Sequence, residues 1–177
     1  KNKFEDYKFF KSTNNEYFLE TAFNNENITN LNQISFFDKI VDVKDDIKSI
    51  FNQIEQIDSV TGQIFRLYNA ALDRFPDKHG FNYWVEMNTS GENTYRQICE
   101  SFISSQEFEI KYGNLIENED YLSALYSNIF DRSPDLIGFN YWLGQLNNGF
   151  EDRSEVLMGF SESLEHKYLF SENTGLI

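Results

Sequence analysis

The stretch from Leu67 to Val85 reads LYNAALDRFPDKHGFNYWV, and 58 residues later Leu125 to Leu143 reads LYSNIFDRSPDLIGFNYWL. Eleven of nineteen positions are identical, among them Asp73/Asp131, Arg74/Arg132, Pro76/Pro134, Asp77/Asp135, Gly80/Gly138, Asn82/Asn140, Tyr83/Tyr141 and Trp84/Trp142. Both prolines and both tryptophans of the chain fall inside this match, so it reflects duplication rather than chance. Weaker identities at Gly91/Gly149, Phe102/Phe160, Ser105/Ser163 and Glu107/Glu165 carry each unit over most of the period. A fixed internal period of this size marks stacked supersecondary units.

Apolar spacing of three and four makes these units helical. Ile64, Tyr68, Ala71 and Leu72 share one face of a helix over 61–74, and Leu122, Tyr126, Ile129 and Phe130 do the same in the second unit. A second helix follows the prolyl turn, with Phe81, Trp84 and Val85 inward in one copy and Phe139, Trp142, Leu143 and Leu146 in the other. A third is expected over 93–111, with its twin over 152–168, behind N-caps at Thr94 and Asp152. Ile47, Ile50, Phe51, Ile54 and Ile57 predict one more helix over 43–58. Residues 1–40 alternate aromatic clusters with Asn-rich runs and read as short helices laid on the core or as a linker. The expected fold is all-α: a compact helical bundle of two tandem three-helix repeats, unit one over 61–116 and unit two over 117–172, behind an N-terminal helical extension over 1–60.

Each repeated residue of the turn has a physical reason to be there. Pro76 and Pro134 read as the prolyl corners that help glue the short helices together. Asp77 and Asp135 precede an aromatic helix, where a carboxylate accepts backbone N–H bonds, a cap worth about 1 kcal/mol. Arg74 and Arg132 end the helix before it, three residues from those carboxylates, so an Arg–Asp pair would fix the corner angle. Gly80 and Gly138 cost up to about 1 kcal/mol relative to alanine in a first helical turn, so something must approach that backbone: a neighbouring helix, the Trp of the same unit, or a ligand. With Trp84 and Trp142 read as core, truncating either to alanine is expected to cost about 3–5 kcal/mol. Tyr83 and Tyr141 lie about 100° around the helix from the Trp residues. With Asp77, Asn82, Asp135 and Asn140 they form the candidate ligand-binding set, an aromatic and amide surface of the sort that stacks on sugars, alongside an ordinary packing role.

Composition narrows the partners. The chain has 177 residues and a net charge of −14, with residues 1–60 contributing −4 and 61–177 contributing −10. No basic stripe for a phosphate backbone or an anionic lipid surface occurs, which argues against nucleic acid and membrane. No apolar run reaches the length of a membrane span. A 17% share of aromatic residues predicts a ring-filled core. Cys99 stands alone and reads as a small core residue. His79 faces Ile137 across the repeat, and His166 is not spaced with it as a helical metal pair. Asp45/Asp46, Glu119/Asp120 and Glu151/Asp152 sit at helix starts without the alternating ligands of a calcium loop. Nucleotide, zinc-protease and nucleophile-elbow motifs are missing. No catalytic residue, metal ligand or cofactor is therefore expected.

The pattern Leu67-Tyr68, Arg74, Pro76-Asp77, Gly80 and Tyr83-Trp84, followed by Ser104-Ser105-Gln106-Glu107-Phe108, resembles the bacterial domain family DUF4214. The resemblance covers about residues 61–170 in two copies; the second departs at its end, reading Ser163-Leu164-Glu165-His166. A fainter likeness to phycobilisome linker domains rests on the Arg-x-Pro turn and is one of fold alone. The family resemblance implies a place in a large bacterial secreted or cell-surface protein, beside haemolysin-type calcium-binding repeats or in surface-layer proteins, so that calcium enters through neighbouring domains. The expected function is a non-catalytic interaction module with a protein or glycan partner. The alternative is an accessory helical domain of a polysaccharide-modifying enzyme, such as a glycosyltransferase or methyltransferase.

Overall fold

Corner geometry dominates the computed structural model, which describes residues 2–113 and 117–176. Helix α2 (Val60–Leu72) ends at Asp73, whose left-handed backbone (φ 49°) turns the chain into Arg74-Phe75-Pro76. Helix α3 (Lys78–Thr89) then starts behind the Asp77 cap. The second unit repeats the device with α6 (Asn118–Phe130), Asp131 at φ 48°, the Arg132-Ser133-Pro134 bend and α7 (Leu136–Asn147) behind Asp135. Asparagine and aspartate tolerate the left-handed region better than other side chains with a Cβ, which fits an Asp at both bends.

The expected third helix is two helices in each unit. Unit one has α4 (Tyr95–Ile103) and α5 (Gln106–Tyr112), and unit two has α8 (Arg153–Ser161) and α9 (Leu164–Thr174). The break is a second N-cap: Ser105 accepts from the Phe108 amide at 3.1 Å and Ser163 from the His166 amide at 3.2 Å. A serine bonded to the backbone ahead of it ends one helix and starts the next. The three-helix repeat is thus a four-helix repeat. Thr94 and Asp152 cap α4 and α8 as expected, each in a capping box.

At the centre α2 packs on α6 and α4 on α8, each pairing corresponding helices of the two units. Ile64, Leu67, Ile98, Cys99, Leu122, Leu125, Val156 and Leu157 fill that interface, all buried. Polar side chains cross it too: Asn128 Nδ2 donates to the Ala70 carbonyl at 3.2 Å, the Tyr95 and Ser161 hydroxyls meet at 2.8 Å, and an arginine is buried there. Arg66 is fully buried, with Nη2 donating to Glu162 Oε1 at 2.6 Å and Oε2 at 2.8 Å, Nε to the Ser161 carbonyl at 3.1 Å and Nη1 to the Ile57 carbonyl at 2.7 Å. It ties α2 of unit one to the end of α8 in unit two.

The all-α expectation is wrong at the N-terminus. Strands β1 (Phe9–Lys11), β2 (Tyr17–Glu20) and β3 (Asn25–Asn27) form an antiparallel meander, and β4 (Gln33–Ser35) pairs with β5 (Ile40–Asp42). The fold is mixed, so residues 1–60 are not a helical extension. Phe9 pairs with Leu19 and Phe10 with Phe18, whose rings stack at 5.1 Å. Asn15, at φ 60°, makes the turn between them. Alternation over three or four residues suits a strand with one face inward, and Asn serves the turn. The helix expected over 43–58 is a wide π-type turn (Val43–Lys48) running into one turn of α-helix, α1 (Ser49–Phe51). Ile47, Ile50, Phe51 and Ile54 are buried all the same.

A chain of rings binds this β-part to the helices. Phe4 and Phe9 meet Phe75, which meets Phe51 and Phe65, and Phe65 meets Phe170 of α9. Phe75 stands between Arg74 and Pro76, so the first corner plugs into the sheet. Its counterpart Ser133 is exposed. This asymmetry leaves the second corner open to solvent. It also corrects the expectation that the two prolines serve alike: Pro76 is buried with Phe75, whereas Pro134 is only half-buried, because no ring beside it draws its corner inward. Pro134 therefore shapes its bend through its fixed φ rather than by filling the core. Trp84 and Trp142 are half-buried rather than core, each against a phenylalanine at 5.7 Å (Phe102, Phe160), so their truncation costs less than a full core deletion.

Candidate functional site

In each corner the capping aspartate and the arginine find partners within their own unit. The Gly80 amide donates to Asp77 Oδ1 and the Gly138 amide to Asp135 Oδ1, each at 2.8 Å. Arg74 pairs first with Glu107, its Nη2 donating to Oε2 at 2.9 Å, and reaches Asp77 at 3.5 Å. Arg132 does the same with Glu165 at 3.1 Å and Asp135 at 3.7 Å. The expected Arg–Asp contact exists, but it is the weaker half of an Arg–Glu–Asp cluster. The Ser-x-Glu start of α5 and α9 therefore has two jobs: the serine caps, and the glutamate seats the corner arginine.

Above each glycine lies a tyrosine of the preceding helix. A Cβ at Gly138 would stand 2.5 Å from Tyr126 Oη, and one at Gly80 would come closer still to Tyr68 Oη. The neighbouring helix is thus the group that requires glycine. Burial, with the Asp77 carboxylate second, pushes the Tyr68 phenol well above its ordinary range, so it stays protonated.

His166 fills the position that Phe108 fills in unit one, and both are buried. Its Nε2 lies 3.1 Å from Asn69 Oδ1, and its Nδ1 is buried without a hydrogen bond. Burial, and secondarily the Arg66 guanidinium, pull its pKa from 6.5 down to about 3. The unfolded chain therefore takes up a proton that the folded one refuses. Stability contributed by this residue is intact above about pH 6.5 and falls by about 1.4 kcal/mol per unit as pH drops toward 3. Denaturant midpoints between pH 7 and pH 4 should show that slope, and His166→Phe should flatten it.

Cys99 is buried and its thiol is pushed up to about 12, by burial first and by Glu162 second, so it is no nucleophile at neutral pH.

Two clefts open on this framework. One of about 240 Å³ lies where the sheet meets both units, lined by Phe9, Phe65 and Phe170 together with Asn69, Asn128 and His166. The other, about 160 Å³, lies at the second corner between Tyr126, Arg132, Asp135, Trp142 and Glu165. Pro134 lines neither, although it stands between two residues of the smaller one in sequence. Of the candidate ligand-binding residues, only Asp135 lines either cleft. Asn82 and Asn140 are exposed, and Tyr83 (51% exposed) and Tyr141 (54%) lean on the adjacent Trp rings at 4.8 Å and 5.1 Å. They occupy outward faces of α3 and α7 rather than a pocket. Sequence reasoning did not single out Leu136 and Ile137, which are 79% and 85% exposed at the start of α7. Their departure from Lys78 and His79 was the available signal. Among the described residues, no group of three or more His, Cys, Asp or Glu gathers as metal ligands, and no helix is long and apolar enough to cross a membrane.

Residues 99–170 match the family model of DUF4214, a domain of unknown function. The DUF4214 match starts within α4, ends within α9 and includes the whole second corner, so it covers less than half of the chain. No curated protein and no solved structure matches the chain.

Proposed function

We propose that the chain is a non-catalytic interaction module that engages a partner through the outward faces of its two corner helices. One observation carries this reading: the corner arginines are paired with the capping aspartates and with Glu107 and Glu165, while Tyr83 and Tyr141, with Leu136 and Ile137, stand exposed. An exposed apolar and aromatic patch is a feature of protein-contact surfaces. Both corner units are read here as copies of one DUF4214 element, on the strength of their shared residues and shared geometry. A cell-surface or secreted setting, with calcium held by neighbouring domains, rests on the family resemblance alone. So does a phycobilisome-linker parallel, which has only the Arg-x-Pro turn behind it.

The larger cleft favours a second reading, in which a small sugar fragment sits among its rings and amides and the module serves a polysaccharide-modifying enzyme. Trp fluorescence separates the two, because each indole touches an outward tyrosine. Titration with amphipathic peptides is expected to shift the emission, and Tyr83→Ala with Tyr141→Ala to abolish the shift. A response to soluble glycans that those variants leave intact, but that Asn69→Ala removes, would move the site to the cleft.

A further inference from the structure

Unit one supplies an internal control for α7. At matched repeat positions Lys78 becomes Leu136, His79 becomes Ile137, Glu86 becomes Gly144 and Glu92 becomes Phe150, while Tyr83 is kept as Tyr141. Phe139, Trp142, Leu143 and Leu146 turn toward the core. Ile137, Tyr141 and Gly144, spaced four and three apart, fall on the opposite side of the helix. The outward stripe is thus the part that changed, from ionisable to apolar or absent.

Among the described residues nothing requires a glycine at 144: a Cβ there would meet nothing within 4 Å. A mid-helix glycine is destabilising relative to alanine, so what it offers is close approach from outside. Ile137, two turns earlier on the same face, and Phe150, just beyond the helix, are 85% and 73% exposed. Among the described helices longer than three residues, α7 alone carries no Asp, Glu, Lys, Arg or His.

We propose that α7 is a self-association surface, pairing with α7 of a second copy about a twofold axis near Tyr141 and Gly144. Charge selects this occupant. In a twofold contact every residue near the axis meets its own kind, and a chain of net charge −14 tolerates that only where the contact holds no charge. Unit one, with Glu86 and Glu92 on the equivalent surface, would oppose itself. One helix face buries less than the roughly 800 Å² per partner of a standard interface, so the dimer is a weak one. This inference deepens the interaction-module reading and rests on it.

Sedimentation equilibrium over a concentration series tests it. The wild-type chain should dimerise, Gly144→Glu and Ile137→His should each weaken the dimer at least tenfold without lowering the melting temperature of the monomer, and Glu86→Gly in α3 should leave the dimer as it was. A wild-type chain that stays monomeric throughout overturns the self-pairing, as does a dimer indifferent to both α7 variants. A monomer that still binds amphipathic peptides through Tyr141 would overturn the second copy as occupant while upholding the module.

Discussion

Glu162→Leu is expected to destabilise the chain by about 3–5 kcal/mol, the cost of stranding a buried charge. Arg66 is fully buried, and Glu162 takes both Nη2 bonds, at 2.6 Å and 2.8 Å. Its other contacts, the Ser161 and Ile57 carbonyls and the Phe170 ring at 4.9 Å, cannot neutralise a guanidinium. Replacing one partner leaves the other without compensation, whereas replacing a pair together is often close to neutral. Arg66→Met combined with Glu162→Leu should therefore recover part of the loss, though not all, because the two carbonyls lose their donor. Urea unfolding of the single and double variants measures both quantities. A single variant within about 1 kcal/mol of wild type would show that water reaches Arg66 and that this contact does not join the units.

Gly80→Ala should be the second large effect, at about 1–3 kcal/mol of destabilisation from overpacking. The sign is what distinguishes it. In an ordinary helix, glycine to alanine stabilises by up to about 1 kcal/mol. Here the added methyl meets Tyr68 Oη, and that ring is held by Phe102 at 4.9 Å and by the Arg74 guanidinium at 5.0 Å. Tyr68→Phe in the same chain removes the obstructing oxygen, so a double-mutant cycle should give a favourable coupling. Gly138→Ala should behave alike but more mildly, since the Arg132 side chain is 39% exposed against 13% for Arg74 and the second corner has room to shift.

Much of the helical part was legible because duplication supplied two readings of each element. Asp77, Asp135, Thr94 and Asp152 cap helices where their spacing placed them, and the glycines answer to a neighbouring helix. Identity between the copies misled at Pro134, which matches Pro76 in sequence but not in burial, since the ring that buries the first corner is Phe75 and its partner is Ser133. The split of the third helix was written in Ser105 and Ser163, but a serine inside an apolar period looks like any polar position until its side chain is seen bonding the backbone. The Arg74–Glu107 pair joins residues 33 apart, a separation that no local pattern encodes. The N-terminal sheets were missed for a different reason. Strands of three or four residues are too short for alternation to stand out, and the Asn14-Asn15 turn reads as a spacer. The candidate ligand-binding residues were legible only as exposed rings and amides, because a surface patch has no required spacing. What marked α7 was divergence between the copies, at Ile137 and Gly144, and a search for identity looks past it.

Two corner units and the N-terminal sheets fold as one body, joined through Phe75 and Arg66. Differential scanning calorimetry tests this most directly. One transition with equal calorimetric and van't Hoff enthalpies is predicted for the whole chain. Two resolved transitions, with the β-part or either corner unit melting alone, would contradict it.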